Sequence, residues 1–379
     1  MRPIKSLLFF LLIVFSVFNS GATEKKVASE EKFNLVEFAM HHISDSYFWD
    51  FFTKPGGEKA RIELPRILWN NQTHKLSLFL STKRALAKDY IKESDYNPEA
   101  KEGSLLIPES KIELNKIKSE LDSEKDSVTK TKLSLLLEEK ISKYKPFDFS
   151  ITKNVLFIFI IAGLLLWVFI SIAKKYKANP NSAPKGMQSV FEPVIIFIRD
   201  DIVKPNIPHH YERFLPYLLT VFFFICFLNL SGLVPFTANV TGNITVTASL
   251  ALLTLIITNF SARGTYWKHI LWYPGIPVFV KPIMLIVELI SIFTKPFALT
   301  IRLFANMTAG HMVIISFISL IFIFGQLGNM PALGFFTSVF SIIFALFIDL
   351  IEIFIALLQA YIFTMLSSLF IGQAVEEEH

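Results

Sequence analysis

The chain is poor in cysteine, in charge along its most apolar half, and in the glycine-rich signatures that hold phosphates. Its single thiol, Cys226, lies inside an apolar run, so neither a disulfide framework nor a thiolate metal site is on offer. No G-x-x-x-x-G-K-[ST] string occurs, which excludes the phosphate-cradling loop of nucleotide chemistry. Charged residues make up 18% of the sequence against 52% hydrophobic ones. With a mean hydropathy of +0.48, that balance belongs to polytopic membrane proteins rather than to soluble domains. The charges are also segregated: residues 24–145 are rich in Lys and Glu, whereas 214–372 carry very few. The net charge of +5 therefore describes no single surface and gives no ground for nucleic-acid binding.

What is present begins with an export signal over 1–22. Arg2 and Lys5 form a basic start, 7–18 a short apolar core, and Ser20-Gly21-Ala22 a small-residue cleavage site. A retained anchor is the alternative reading of the same pattern. Either way, an exported extension over 23–150 is expected, α/β or mostly helical. It contains an aromatic-flanked patch, FAMHHISDSYFWDFF, and two strand-like stretches, 61–69 and 75–81, around the polar turn NNQTH. Leu114, Leu121, Val128 and Leu135 recur every seven residues, but Glu124, Thr131 and Glu138 occupy the companion positions. A solvated helix or helical hairpin is predicted there rather than a coiled coil. His41-His42 have no accompanying ligand set and read as solvated.

The membrane domain is expected over 151–379, all-α and polytopic. Apolar spans at 155–173, 215–234 and 246–260 are followed by two much longer ones, 285–324 and 332–372. Five crossings result, the last two as long tilted helices in a hairpin. Lys174, Lys175 and Lys177 follow the first span, and Arg263 and Lys268 the third, while 235–245 and 325–332 contain no Lys or Arg. That asymmetry places the extension outside and the C-terminus in the cytoplasm. Lys143, Lys145 and Lys153 before the first span weaken the asymmetry there. The stretch 187–200 reads as an interfacial amphipathic helix on the cytoplasmic face.

Polar residues inside the long spans are the candidate functional groups. At 100° per residue, Glu288, Lys295 and Arg302 drift only about 20° per step of seven, so they line one face, with Asn306 about 40° further round. Arg302 lies too deep to snorkel, and an ionisable group at that depth is a functional residue by default. The alternative is a polar face that merely packs on its neighbours. The last span carries Asp349, Glu352 and Gln359. If the two helices run antiparallel with Arg302 and Gln359 level, His311 and Glu352 lie about 13 Å and about 10 Å outward. They then meet, either as a proton-relaying pair or as a packing ion pair.

The string LIVELISIFTKPFALTIRLFANMTAGH, then IALLQAYIFTMLSSLFI and a short acidic tail ending in His, resembles the two C-terminal helices of subunit a of F-type ATP synthases. FLNLSGLVP and TGNITVTASLAL resemble its earlier segments. The likeness covers about 187–379. It implies a non-catalytic, proton-translocating stator in the bacterial inner membrane, without cofactor or metal, set against a c-ring of carboxylate-bearing subunits and held by the peripheral-stalk subunit b. The essential arginine matches Arg302, the asparagine one turn on Asn306, and the glutamine of the last helix Gln359. Glu288 and Lys295 match the polar positions before the arginine. In many members the position of His311 is a carboxylate and that of Glu352 a histidine, so the pair is exchanged here. The resemblance does not reach the extension. A secondary transporter or channel with an arginine anion site is the rival reading, and it favours inverted repeats; none is visible. A bare membrane anchor leaves the aligned polar face unexplained.

Overall fold

Apolar runs long enough to cross a bilayer become helices, because in lipid the backbone must satisfy its own hydrogen bonds. The computed structural model describes residues 45–53, 59–97, 100–124, 127–178, 183–208, 210–234, 237–272, 277, 279–325 and 330–375. All belong to one compact unit, Val36–His379. The expected leader and His41-His42 lie outside the described residues. Among the described residues, five helices are long and apolar enough to span a membrane: Lys153–Ala178, Tyr211–Gly232, Ile244–Ser261, and the long Lys281–Phe324 and Pro331–Val375. They are called here the first to fifth crossings. This is a multi-pass, mostly helical membrane protein.

Local chemistry sets the ends. Asn243 caps the third crossing, its side chain accepting from the Thr245 N–H at 2.9 Å. The first crossing is capped from far upstream: Asp45 Oδ1 accepts from the Asn154 N–H at 3.1 Å.

The second crossing packs on the fifth. Leu218, Ile225 and Leu228 meet a stripe of small side chains, among them Ala360, Thr364 and Ser368, all buried. Small residues let the backbones approach without a cavity. Gly372 of the fifth crossing lies against the segment before the second, where a Cβ would stand 2.0 Å from the Asn206 carbonyl oxygen. The helix expected at 187–200 forms as Met187–Phe197 and continues as a π-helical turn, Ile198–Val203. It is not purely interfacial, because Ile198, Ile202 and Val203 are buried in the bundle core.

The extension is mixed α/β. Strands β1 (Phe48–Thr53) and β2 (Lys59–Glu63) pair, β3 (Arg66–Asn70) lies between β4 (Lys75–Phe79) and β7 (Phe147–Asp148), and β5 (Ile91–Lys92) pairs with β6 (Leu105–Leu106). The stretch expected as one strand over 61–69 breaks at Leu64-Pro65, since proline has no N–H for the ladder. The turn at 71–74 does form the β3–β4 hairpin. Helices Lys111–Ser123 and Ser127–Tyr144 pack together. Leu114 is buried as its heptad suggests, but Val128 and Leu135 are exposed and Leu137 and Ile141 are buried in their place. The chain leaves one helix and starts another, which resets the phase.

Candidate functional site

The fourth and fifth crossings run antiparallel, pinned by two side-chain contacts. Lys295 Nζ donates to Gln373 Oε1 at 3.1 Å, and His311 Nδ1 lies 3.3 Å from Glu352 Oε1. Counting from the second contact, Arg302 is level with Tyr361, about 3 Å of rise from Gln359.

Arg302 sits mid-way along the fourth crossing and is exposed on the flank of the bundle. Its guanidinium has no hydrogen bond, ion pair or ring contact with any described residue. Asn306, one turn on, is exposed as well. The same face turns inward lower down, where Glu288 and Lys295 are half-buried and the Lys295 ammonium lies 5.2 Å over the Phe370 ring. Gln359 is buried. The six proton-pathway candidates, Glu288, Lys295, Asn306, His311, Glu352 and Gln359, and the arginine thus fall into two settings, one open to the outside of the chain and one closed within it.

The closed setting is the His311–Glu352 pair. Glu352 is 3% exposed. His311 Nε2 lies 3.1 Å from the Gly232 carbonyl oxygen at the end of the second crossing. A carbonyl oxygen only accepts, so Nε2 carries a proton. The Nδ1···Oε1 bond then needs one further proton, held by the imidazole or by the carboxyl. One proton is thus held between the two groups. Glu352 Oε2, Asn229 Oδ1, Thr308 Oγ1, Asn239 Nδ2 and Thr241 Oγ1 are buried without a hydrogen-bond partner among the described residues. Buried polar atoms of this kind call for water or a partner. Three of them lie on or beside elements that hold the pair: Thr308 is three residues from His311, Asn229 donates to the Ala356 carbonyl one turn on from Glu352, and Asn239 adjoins Gly232.

Two of the supporting residues were not singled out from the sequence. Gly310 leaves the space that Glu352 fills, since a Cβ there would stand 2.0 Å from Oε1 and 2.7 Å from Cγ. Gly232 gives its carbonyl to His311, and a Cβ on it would stand 2.7 Å from Met307 Cε. Asn229, a polar residue in an apolar span, was the available signal.

Beside Lys295, a cavity of about 20 Å³ is lined by Thr254, Thr258, Asn259, Tyr266, Lys295 and Phe370 among others. That is enough for one water. Further along the same helices, an open cleft of about 710 Å³ is lined by His210, Arg213, Ser261, Arg263 and Val375 among others. No cluster of three metal-ligating side chains occurs among the described residues.

Comparison with known proteins now bears on this arrangement. The family model described as ATP synthase A chain matches residues 155–372, and a domain of unknown function, DUF8433, matches 38–149. The ATP synthase subunit a of Chloroherpeton thalassium is 50% identical over 238 residues, 61% of this chain and 68% of that protein. Subunit a 2 of Chlorobaculum tepidum is 49% identical over 244 residues, 60% of this chain and 64% of that protein. Subunit a of Chlorobium phaeobacteroides is 47% identical over 242 residues, 62% of this chain and 68% of that protein. The matched part thus spans about two thirds of each relative. A family model covering more than half of the chain settles its membership: it belongs to the ATP synthase A chain family, the non-catalytic component of that complex's membrane sector.

Proposed function

We propose that this chain is the proton-translocating stator of a rotary ATP synthase, with Arg302 separating two aqueous half-channels. The observation that carries the reading is the open guanidinium mid-way along a membrane helix, which has no polar partner among the described residues. An arginine remains charged at any physiological pH, and an unpaired charge facing lipid is expensive. Its counter-ion therefore comes from another chain, and a carboxylate on a passing c-ring subunit meets that need. Protonated, such a carboxyl is neutral and can face lipid; opposite Arg302 it is held ionised by the fixed positive charge. The arginine thereby forces proton release on one side and blocks a direct leak. Asn306 and Gln359 flank this position.

On the outer side, His311 and Glu352 load the ring, and the unsatisfied atoms of Asn229, Asn239, Thr241 and Thr308 support a water chain leading to them. On the inner side, Glu288 and Lys295 drain it through the small polar cavity at Asn259 and the cleft at Arg263. The extension faces the outside of the bacterial inner membrane and the C-terminus the cytoplasm. Subunit b of the peripheral stalk holds the chain still against the ring. Nucleotide chemistry lies on other subunits.

The test is capture. The tagged chain, solubilised from its membrane, should bring down a small subunit with a carboxylate in mid-span, and a cysteine at exposed Ala305 should cross-link to it. Capture of no such subunit from membranes that make ATP would defeat the reading.

A further inference from the structure

The β4-β3-β7 sheet of the extension has one covered face and one bare one. Arg66, Leu68 and Asn70 point inward and are buried; Arg66 pairs with Asp148 at 3.1 Å and stacks on the Tyr47 ring at 3.6 Å. An antiparallel sheet packed on one side normally turns polar residues to the other. Here the register does the opposite. Leu76, Trp69 and Phe147 are directly paired across the three strands, and Leu78 and Ile67 form the next row, completed by Phe149, whose N–H bonds to the Ile67 carbonyl. Side chains on one face alternate by two residues, so these six share the bare face. Leu76, Leu78, Phe147 and Phe149 are 54%, 67%, 62% and 67% exposed. Contiguous apolar surface of this kind marks an interaction site.

We propose that this face rests in the bilayer surface at the leaflet where the first crossing begins. The occupant is lipid because the sheet is fixed at headgroup depth. Phe149 stands four residues before Lys153, the first helical residue, so it lies within about 14 Å of that point even if the chain is fully extended. The link is not a free tether. Backbone N–H groups of Phe149, Ile151 and Lys153 donate to the carbonyls of Ile67, Pro65 and Ser46 at 2.9, 3.2 and 2.8 Å. Trp49 of β1 packs edge-on against Phe157, within the first turns of the helix, with ring centroids 5.2 Å apart. Aromatic side chains at that level are the usual anchors of a membrane interface.

Charge agrees. The stretch 143–153, which runs through β7 into the helix, carries Lys143, Lys145 and Lys153; Lys145 is paired with Glu93 at 3.0 Å and Lys153 is half-buried, which leaves exposed Lys143 for anionic headgroups. Asp148, the carboxylate in that stretch, is turned inward to Arg66. The basic flank that spoils the positive-inside asymmetry at the first crossing becomes part of the lipid contact.

The full chain in lipid nanodiscs containing phosphatidylglycerol tests this. Nitroxide labels on Leu78→Cys and Phe149→Cys, with Glu120→Cys on the solvated helical pair as reference, are relaxed by oxygen and by a water-soluble nickel chelate. Native Cys226 is buried, and the unsubstituted chain carried through labelling sets the background. Expected is an oxygen-to-nickel collision ratio severalfold higher at 78 and 149 than at 120. Equal ratios at all three sites mean that the face is in water, and exclusion of both relaxants at 78 and 149 means that protein covers it, in a second copy for instance; either overturns the proposal. Circular dichroism matching the unsubstituted chain shows that each labelled variant is folded, and a variant that fails is replaced by Leu76→Cys in the same strand.

Discussion

Arg302 and His311 stand nine residues apart on one helix, about half a turn out of phase, and they live in opposite conditions. The arginine is exposed and makes no hydrogen bond, ion pair or ring contact with any described residue; the histidine is gripped by two other crossings, through Glu352 and the Gly232 carbonyl. One side of the fourth crossing is finished by this chain, and the other is open. In the proposed mechanism, the fixed charge that meets a moving neighbour has to stay open. A proton that waits to be passed on has to be enclosed.

The strongest way to break that contrast is to remove the open charge. Arg302→Ala should abolish ATP-coupled proton pumping in an assembled complex while leaving the protein inserted, because nothing else ionises the passing carboxylate. Lysine should be a poor substitute, lacking the planar fork and having a pKa that moves on burial. Near-normal pumping by vesicles bearing assembled Arg302→Ala complex would remove the basis of the proposed mechanism.

Next in size is an intrusion on the closed side. Gly310→Ala places a methyl where Glu352 Oε1 now lies, so the carboxylate must leave His311, at a cost of about 1–3 kcal/mol. Pumping should fall severalfold. Gly163→Ala in the first crossing, where a Cβ meets nothing within 4 Å, is the control and should be silent in the same assay.

A smaller effect sharpens the pairing itself. His311→Glu and Glu352→His should each slow proton pumping, and the double swap should recover much of the loss, as residues in contact couple by about 0.5–3 kcal/mol. Rates for the two singles, the double and the parent at matched expression decide it. A double variant as slow as the product of its singles would mean that the two act separately.

The least effect on the ion path is expected from deleting 32–145 with the leader kept, since none of the intramembrane polar groups lies there. Assembly should suffer more than conduction, because Asp45 and Ser46 hold the start of the first crossing. Proton conduction per assembled complex, measured in vesicles, should match the intact chain, and its loss would tie the extension to the path.

The five crossings were legible because length and apolarity alone decide them, and the structure moves their ends by only a few residues. The His311–Glu352 contact was legible from helical rise once the two helices were taken as antiparallel. The space for it was not: Gly310 reads in sequence as one small residue among apolar ones, and only the approach of the fifth crossing gives it a purpose. That Arg302 is open while Lys295 turns inward depends equally on which neighbours pack, which periodicity does not tell. The extension was the least readable part. Its short strands are set by Pro65 and by distant pairing, as with Phe147 and Trp69, and its helices by a break that a heptad count runs through.

Arg302 lies 21 residues from one end of the fourth crossing and 22 from the other. In the proposed mechanism, a fixed charge half-way along the crossing divides the transmembrane voltage nearly evenly. Each proposed half-channel would then drop about half of the roughly 2.3 kcal/mol per charge per 100 mV, and neither proton step would carry the whole electrical load. An imposed voltage should accordingly weigh on loading and release alike, so that a rate limited at either mouth rises with about half the steepness of a single jump across the full membrane.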